Sequence, residues 1–349
     1  SKTGGFHLTT VGRVQTPTLA IVIEREEKIR KFVSRDYWEL EASFGAKAGT
    51  YAGRWFDEKF KKPDDDEHAR AERIWDQKKA DAIRAKCLGK PGKVEEESKP
   101  STQLSPLLFD LTSLQREANG RFGFSAKTTL SLAQALYEKH KVLTYPRTDS
   151  RALPEDYLGT VPGILKGLPD EYAPFANDIV RQKWVKPNKR IFNNAKISDH
   201  FAIVPTGTPP KHLSEAEQKI YDMVTRRFLA VFYPAAEYLI TTRITRVEGE
   251  AFKTEGKVLV NAGWLAVYGK EAASEAGGDD SKPQLVAVKP NEIVSTDDVV
   301  VKASATRPPP RYNEATLLSA MEGAGKLVED DELREAMAAR GLGTPATRA

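Results

Sequence analysis

The sequence predicts a multidomain α+β protein whose chain path is nested. At 349 residues the chain is too long for one ordinary hydrophobic core and divides into roughly two or three domains. The spacing of apolar residues switches from helical to alternating and back twice, in the order helix, sheet, helices, sheet, helices. That mirror-image order predicts three parts. Residues 1–35 and 307–349 pack as one helical domain, 36–103 and 238–306 pair as one antiparallel β domain, and 104–237 form an inserted, mainly helical block.

Each element has its own signal. In "VGRVQTPTLAIVIEREEKIRKF" (11–32), Thr16 reads as a cap and Pro17 as the first helical residue. "DYWELEASF" (36–44) alternates Trp38, Leu40, Ala42 and Phe44 against Tyr37, Glu39, Glu41 and Ser43, as in a half-buried strand, and "TYAGRWF" continues the sheet. "KKPDDDEHAR" (61–70) reads as a solvated loop before a polar helix over 70–86; its three aspartates have no other ligand nearby and are read as surface charge rather than as a metal site. The charged, Ser- and Pro-containing "VEEESKPSTQLSPLLFDL" (94–111) reads as a connection between domains. Two helices follow, one with a capping box of Thr112 and Gln115, the next capped by Ser125 with Leu132, Ala135 and Leu136 on its apolar face. With "NGRFGF" as the turn and "VLTYP" extended behind, they outline a helix-turn-helix unit. "LSEAEQKIYDMVTRRFLAVFYP" (213–234) carries a capping box of Ser214 and Glu217, a core stripe of Ile220, Met223, Val224, Phe228 and Val231, and a stop at Pro234. Strand character returns in "AEYLITTRITRVEGEAFKTEGKVLV" and "NEIVSTDDVVVKASAT", with a loop at "SEAGGDDSKPQ" between them. Asn313 caps the helix "EATLLSAMEGAG", Asp330 caps "DELREAMAARG", and in the closing "GLGTPATRA" Thr344 reads as a cap with Pro345 as first helical residue.

Composition narrows the function. Charged residues make up 29% and hydrophobic ones 40%, and no apolar run reaches the roughly twenty residues needed to cross a membrane. A single cysteine, Cys87, excludes an intramolecular disulfide and a cysteine zinc cluster within this sequence, and with no targeting segment the expected location is cytoplasmic. The formal net charge of +4 permits a nucleic-acid partner without demanding one.

Three places carry chemistry. In "KVLTYPRTDS" (141–150), Pro146 pushes Tyr145 into an extended conformation, so Arg147 and then Asp149 share its side while Pro146 and Thr148 face the other way. A phenol beside a guanidinium suits a nucleophile next to a phosphate-binding cation; it equally suits a surface tyrosine stacked on an arginine. Two Thr-Pro helix starts, in "GRVQTP" (12–17) and "GLGTP" (341–345), would present free backbone N–H groups and a partial positive charge to an anion, with Arg13 and Gln15 beside the first. In "ISDHFAIVPTG" (197–207), His200 next to Asp199 is either a satisfied structural residue or a donor to a phosphate oxygen.

Five co-linear segments, "TTVGRVQTPTLAIV", "LFDLTSLQREANGRFGFSAKTTLSLAQALYEKHKVLTYPRTDSRALPEDY", "SDHFAIVPT", "RPPPRYNEATLLSAMEGAGK" and "GLGTPATRA", together resemble the type IA DNA topoisomerases, especially the topoisomerase III branch. The resemblance implies a toroidal gate of helical domains and an antiparallel β domain, with a helix-turn-helix-like domain carrying the nucleophile. It implies that Tyr145 attacks a phosphodiester of single-stranded DNA to leave a 5′-phosphotyrosine, and that Arg147 stabilises the charge on the phosphate. By residue-by-residue matching, Arg13, Gln15, Thr16, Arg116, Thr148, Asp149, His200 and Thr347 are expected at the DNA. The family's Toprim domain, with its acidic magnesium cluster, has no counterpart in this sequence. The chain is therefore expected to be a monomeric gate fragment that holds no metal, binds single-stranded DNA and cannot cleave it unaided, with magnesium entering through the parent protein's Toprim domain. The alternative is a non-catalytic single-strand-binding or helix-turn-helix module in which Tyr145 stacks on a base and Arg147 and Lys141 hold phosphates. Tyrosine recombinases also use a tyrosine nucleophile, but need further Arg and His residues around the phosphate and form a 3′ linkage.

Overall fold

The computed structural model describes residues 14–269, 285–324, 341–344, 347 and 348. In chain order the elements are α1 (Gln15–Lys31), β1 (Asp36–Ala46), β2 (Gly49–Phe56), α2 (Gln77–Cys87), β3 (Pro91–Gln103), α3 (Leu111–Phe122) and α4 (Ala126–Glu138). There follow α5 (Val161–Gly167), α6 (Ala173–Arg181), α7 (Glu215–Phe232), β4 (Ala236–Val247), β5 (Glu250–Asn261), β6 (Ile293–Ala305) and α8 (Glu314–Gly323). They fall into two compact units. One takes in 1–30, 105–234 and 309–349, the other 31–104 and 235–308.

The second unit is a closed antiparallel barrel with strand order β1-β2-β5-β4-β3-β6. Its seams are unequal. β3 pairs with β4 along its whole length from Lys93 to Gln103, whereas β2 meets β5 only over Arg54–Phe56 and β3 meets β6 only over Pro91–Lys93. Leu40, Ala42 and Phe44 of β1 point inward with Tyr51, Trp55, Val94, Val247, Phe252, Val294 and Val299. The expected alternation thus holds from Leu40 onward. Before it, Tyr37 is buried from the other side, under the Arg73 guanidinium and against the edge of Trp75.

Two readings in this unit are corrected. The expected linker over 94–111 is in large part strand. β3 runs to Gln103 because its acidic residues find partners on β4, Glu96 with the buried Arg243 and Glu95 with Arg246, so a charged segment still forms a ladder. The polar helix starts at Gln77 rather than near 70. Ile74 exchanges both backbone hydrogen bonds with Trp38, which holds the preceding residues extended, and the Asp76 side chain caps the helix by accepting from Lys78 N–H. Of the three aspartates, Asp66 is paired with Arg35.

Helix α2 lays Ala80, Ile83 and Cys87 into the barrel core. Burial, with Glu250 adding to it, pushes the Cys87 thiol up to about 11. At neutral pH it is a thiol with no exposed surface, so thiol-reactive probes should label it only after denaturation; stoichiometric labelling of the native protein would contradict this.

In the first unit, α7 has the expected Ser214–Glu217 capping box and buries all five residues of the predicted stripe. Asn313 caps α8 through a box with Thr316, and Ser125 caps α4. Four details differ. α1 begins at Gln15, so Thr16 lies inside the first turn and Pro17 takes a position whose N–H has no intrahelical partner in any case. α3 is capped by Asp110 with Ser113, because Thr112 and Gln115 are fully buried and the Gln115 amide donates to the Ala126 carbonyl. The "NGRFGF" turn shrinks to its second half, since α3 continues to Phe122 and Gly123 closes it in the left-handed region at φ 69°. On α4 the buried face is Thr129, Ala133 and Leu136, which leaves Leu132 and Ala135 beside it. The segment "SEAGGDDSKPQ", the Asp330 helix, Arg13 and Pro345 lie outside the described residues. Among the described residues no helix is long and apolar enough to cross a membrane.

Candidate active site

Tyr145 is placed by a reversal and a zipper. After α4 the chain turns at Lys141, whose φ of 57° is in the left-handed region, and the N–H groups of His140 and Val142 bond back to the Ala135 and Leu136 carbonyls. Leu143 then bridges Pro205, Thr144 N–H donates to Val204 O at 3.0 Å, and Val204 N–H donates to the Thr144 hydroxyl at 2.9 Å. This zipper sets the tyrosine loop against 200–206. Burial alternates along it as expected: Pro146, Thr148 and Ser150 are buried, while Arg147 and Asp149 are exposed and Tyr145 is half-buried between them in the same phase.

The Tyr145 ring contacts two others. Tyr137 of α4 meets it edge to face at a centroid distance of 5.3 Å, and the His200 ring lies 4.3 Å away, tilted by 44°. Arg147 is exposed and makes a long contact of 3.4 Å from Nε to Oε1 of Gln134 on α4, which among the described residues leaves its guanidinium open to meet an anion. Thr148 has a different place. Its hydroxyl donates to the His200 carbonyl at 2.9 Å and its own carbonyl accepts from Leu111 N–H, so it ties the loop to His200 and to the start of α3. Asp149 accepts from the Ser198 hydroxyl at 3.3 Å, and the Ser150 hydroxyl donates to Lys196 O at 2.8 Å. Residues 196, 198 and 200 therefore run alongside 150, 149 and 148.

The start of α1 and residues 341–344 come together in the same unit. Gln15 and Thr16 are exposed in the first turn of α1. Gly343, at φ 67°, packs so tightly that a Cβ there would lie 2.8 Å from the Thr347 hydroxyl and 2.9 Å from the Val14 side chain. Beyond it Thr344 and Thr347 cap one another, the Thr344 N–H donating to the Thr347 hydroxyl at 2.8 Å and the Thr347 N–H to the Thr344 carbonyl at 3.0 Å. Leu342 joins Met321, Ala324, Val14, Ile21 and Leu317 in a small apolar core beneath. Arg348 is the link to the tyrosine side. It donates to the Leu342 and Gly343 carbonyls and, at 3.3 Å, to the Thr112 hydroxyl at the start of α3. Burial lowers its pKa, opposed by the charges of Glu322, Asp110 and Asp149. Arg116 is paired with Glu322 at 3.2 Å, and the Ala126 N–H at the start of α4 donates to Glu314.

Sequence reasoning missed Tyr137, Gln134 and Arg348. Tyr137 and Gln134 share one helical face three residues apart, but nothing local says that this face meets residues 145 and 147. Arg348 had a signal in its place next to Thr347. Among the described residues no group of three or more His, Cys, Asp or Glu side chains is arranged to hold a metal ion.

Comparison with known proteins follows the same lines. A family model described as DNA topoisomerase matches residues 1–349. The chain is 41% identical over 347 residues to DNA topoisomerase 3 of Bacillus cereus and 39% identical over 346 residues to that of Bacillus subtilis, covering 97% of this chain and 46% of each relative. It thus spans about half the length of the curated relatives it matches. Full-length topoisomerase I from Thermotoga maritima has a similar fold, with a TM-score of 0.65 at 24% identity, over 97% of this chain and 49% of that one.

Proposed function

Because the chain belongs to the type IA DNA topoisomerases, we propose that it is the part of such an enzyme that carries the nucleophile and the strand-binding surface. Tyr145 Oη attacks the phosphorus of a single-stranded DNA phosphodiester. The new Tyr–O–P bond replaces the bond to the 3′ oxygen, which leaves as a free 3′-hydroxyl, and the 5′ side stays on the protein. The ester keeps the energy of the broken linkage, so the 3′-hydroxyl can attack back after strand passage and reseal the strand without ATP.

The observation that carries this reading is the exposed Arg147 in phase with a Tyr145 ring that contacts the rings of Tyr137 and His200. A phenol has an ordinary pKa of about 10 and is a weak nucleophile, so it depends on being positioned and on nearby positive charge. Phosphoryl transfer rewards both, because charge builds on the phosphate oxygens in the transition state. Arg147 supplies a cation for that charge, His200 a second donor beside the tyrosine, and Asp149 helps hold the loop through Ser198. Gln15, Thr16 and Thr347, with Arg13, form the surface for the strand. Thr148 and Arg116 support the site from behind through His200, α3 and α8.

By the same reading the 349 residues alone bind single-stranded DNA without cleaving it. The test uses the full-length gene product with end-labelled single-stranded DNA and magnesium, followed by denaturation and mapping of the attached end. The expected result is protein on the 5′ end of the break and a free 3′-hydroxyl. A 3′ attachment would indicate recombinase chemistry, and salt-sensitive binding with no adduct would favour a binding module.

A further inference from the structure

We propose that Tyr137 is a positioning residue for Tyr145, its ring restraining the nucleophile's ring alongside that of His200; this rests on the reading of Tyr145 as the nucleophile. Tyr137 lies in the last turn of α4. The buried face of that helix is formed by Ala126, Thr129, Ala133 and Leu136, so Tyr137 is a partly exposed residue beside it and is not needed to fill the core. Its ring instead meets Tyr145 at 5.3 Å with an interplanar angle of 78°, the edge-to-face geometry that aromatic pairs favour. His200 contacts the same Tyr145 ring at 4.3 Å.

A tyrosine with one ring neighbour can still swing about its side-chain torsions; a second ring contact narrows that freedom. That confinement matters because an in-line attack needs the phenol oxygen within about 3–3.5 Å of the phosphorus and correctly aimed. Tyr137 is itself restrained. The Lys141 ammonium lies 5.8 Å from its ring centroid, within reach of a cation–π attraction, and Lys141 is the residue whose left-handed backbone turns the chain back toward the helix. The same reversal that delivers Tyr145 therefore also braces the ring that holds it. Tyr137 touches neither the phosphate nor the reacting atoms in this role, and its hydroxyl is not required for it.

The test compares Tyr137→Ala and Tyr137→Phe in the full-length gene product, measuring single-turnover adduct formation and single-stranded DNA affinity separately. Tyr137→Ala is expected to slow adduct formation by about tenfold or more while leaving the dissociation constant within about twofold, because only the geometry of attack is lost. Tyr137→Phe keeps the ring and is expected to stay within about twofold of the parent in both. An unchanged rate in Tyr137→Ala, or a loss found wholly in affinity, overturns the proposal, the latter marking Tyr137 as a base-stacking platform. A second readout does not depend on the reaction. The aromatic NMR signals of Tyr145, identified by their disappearance in Tyr145→Phe, should shift in Tyr137→Ala as the neighbouring ring current is removed and stay in place in Tyr137→Phe; no shift in Tyr137→Ala also overturns it. Absence of an adduct from the parent protein would sink the nucleophile reading, while the NMR comparison still decides the ring contact.

Discussion

Replacing Tyr145 with phenylalanine in the full-length gene product is expected to lower covalent adduct formation by more than about 10⁴-fold, the scale on which removal of an enzyme's nucleophile acts. The substitution removes one oxygen and little else. The phenylalanine ring can keep the edge-to-face contact with Tyr137 and the tilted contact with His200, so the loop and its zipper to Val204 should stand. Single-stranded DNA affinity is accordingly expected to change by no more than about twofold, since backbone phosphates are held by cations rather than by the phenol. Gel analysis of adducts beside a binding titration reads both quantities. An adduct that persists at the parent rate would mean that another group attacks the phosphate. Equal losses of adduct and affinity would make Tyr145 a stacking residue, as the binding-module reading requires.

Phe252→Ala is expected to destabilise the barrel unit by about 3–5 kcal/mol, the range for deleting a fully buried phenylalanine. Its position makes the effect local. Phe252 lies opposite Trp55 where β2 meets β5 over three residue pairs, and its ring packs edge to face on Phe44 at 5.5 Å, with Tyr51 against the other ring at 5.3 Å. Gly53 leaves room for this cluster, since a Cβ there would stand 3.0 Å from the Phe44 ring and 3.2 Å from the Phe252 Cβ. A seam this short has few backbone hydrogen bonds of its own and depends on the rings that cross it. Hydrogen exchange should therefore show protection lost first at Arg54–Phe56 and Ala251–Lys253, while the long β3–β4 ladder holds. Uniform loss across all six strands, or a cost below about 1 kcal/mol, would show that the seam is not the weak point.

The elements that sequence reasoning placed well carry their own local physics. Helix α7 has both members of its capping box and its stripe within one stretch of sequence, and the alternating burial of Tyr145, Arg147 and Asp149 against Pro146, Thr148 and Ser150 matches the two-residue repeat expected there. The misplaced boundaries all depend on partners far along the chain. β3 looks like a linker until β4 supplies Arg243 and Arg246, some 150 residues later. The residues before α2 look helical until Trp38 claims the Ile74 backbone, and Thr112 looks like a cap until the interior claims its side chain.

The same division runs through the site. The sequence by itself singled out the candidates for the chemistry, Tyr145 and Arg147 in one phase with His200 in a second motif, and through five co-linear segments it identified the family. Only the tertiary structure decided that His200 lies on the Tyr145 ring, that Tyr137 also meets it, that Thr148 turns inward, and that Gly343 meets Val14 at the start of α1. The reason is physical. Conformational phase and capping are set by neighbours within about four residues and can be read locally, whereas ring contacts, seams and close backbone approaches are set by packing between segments brought together only when the chain folds.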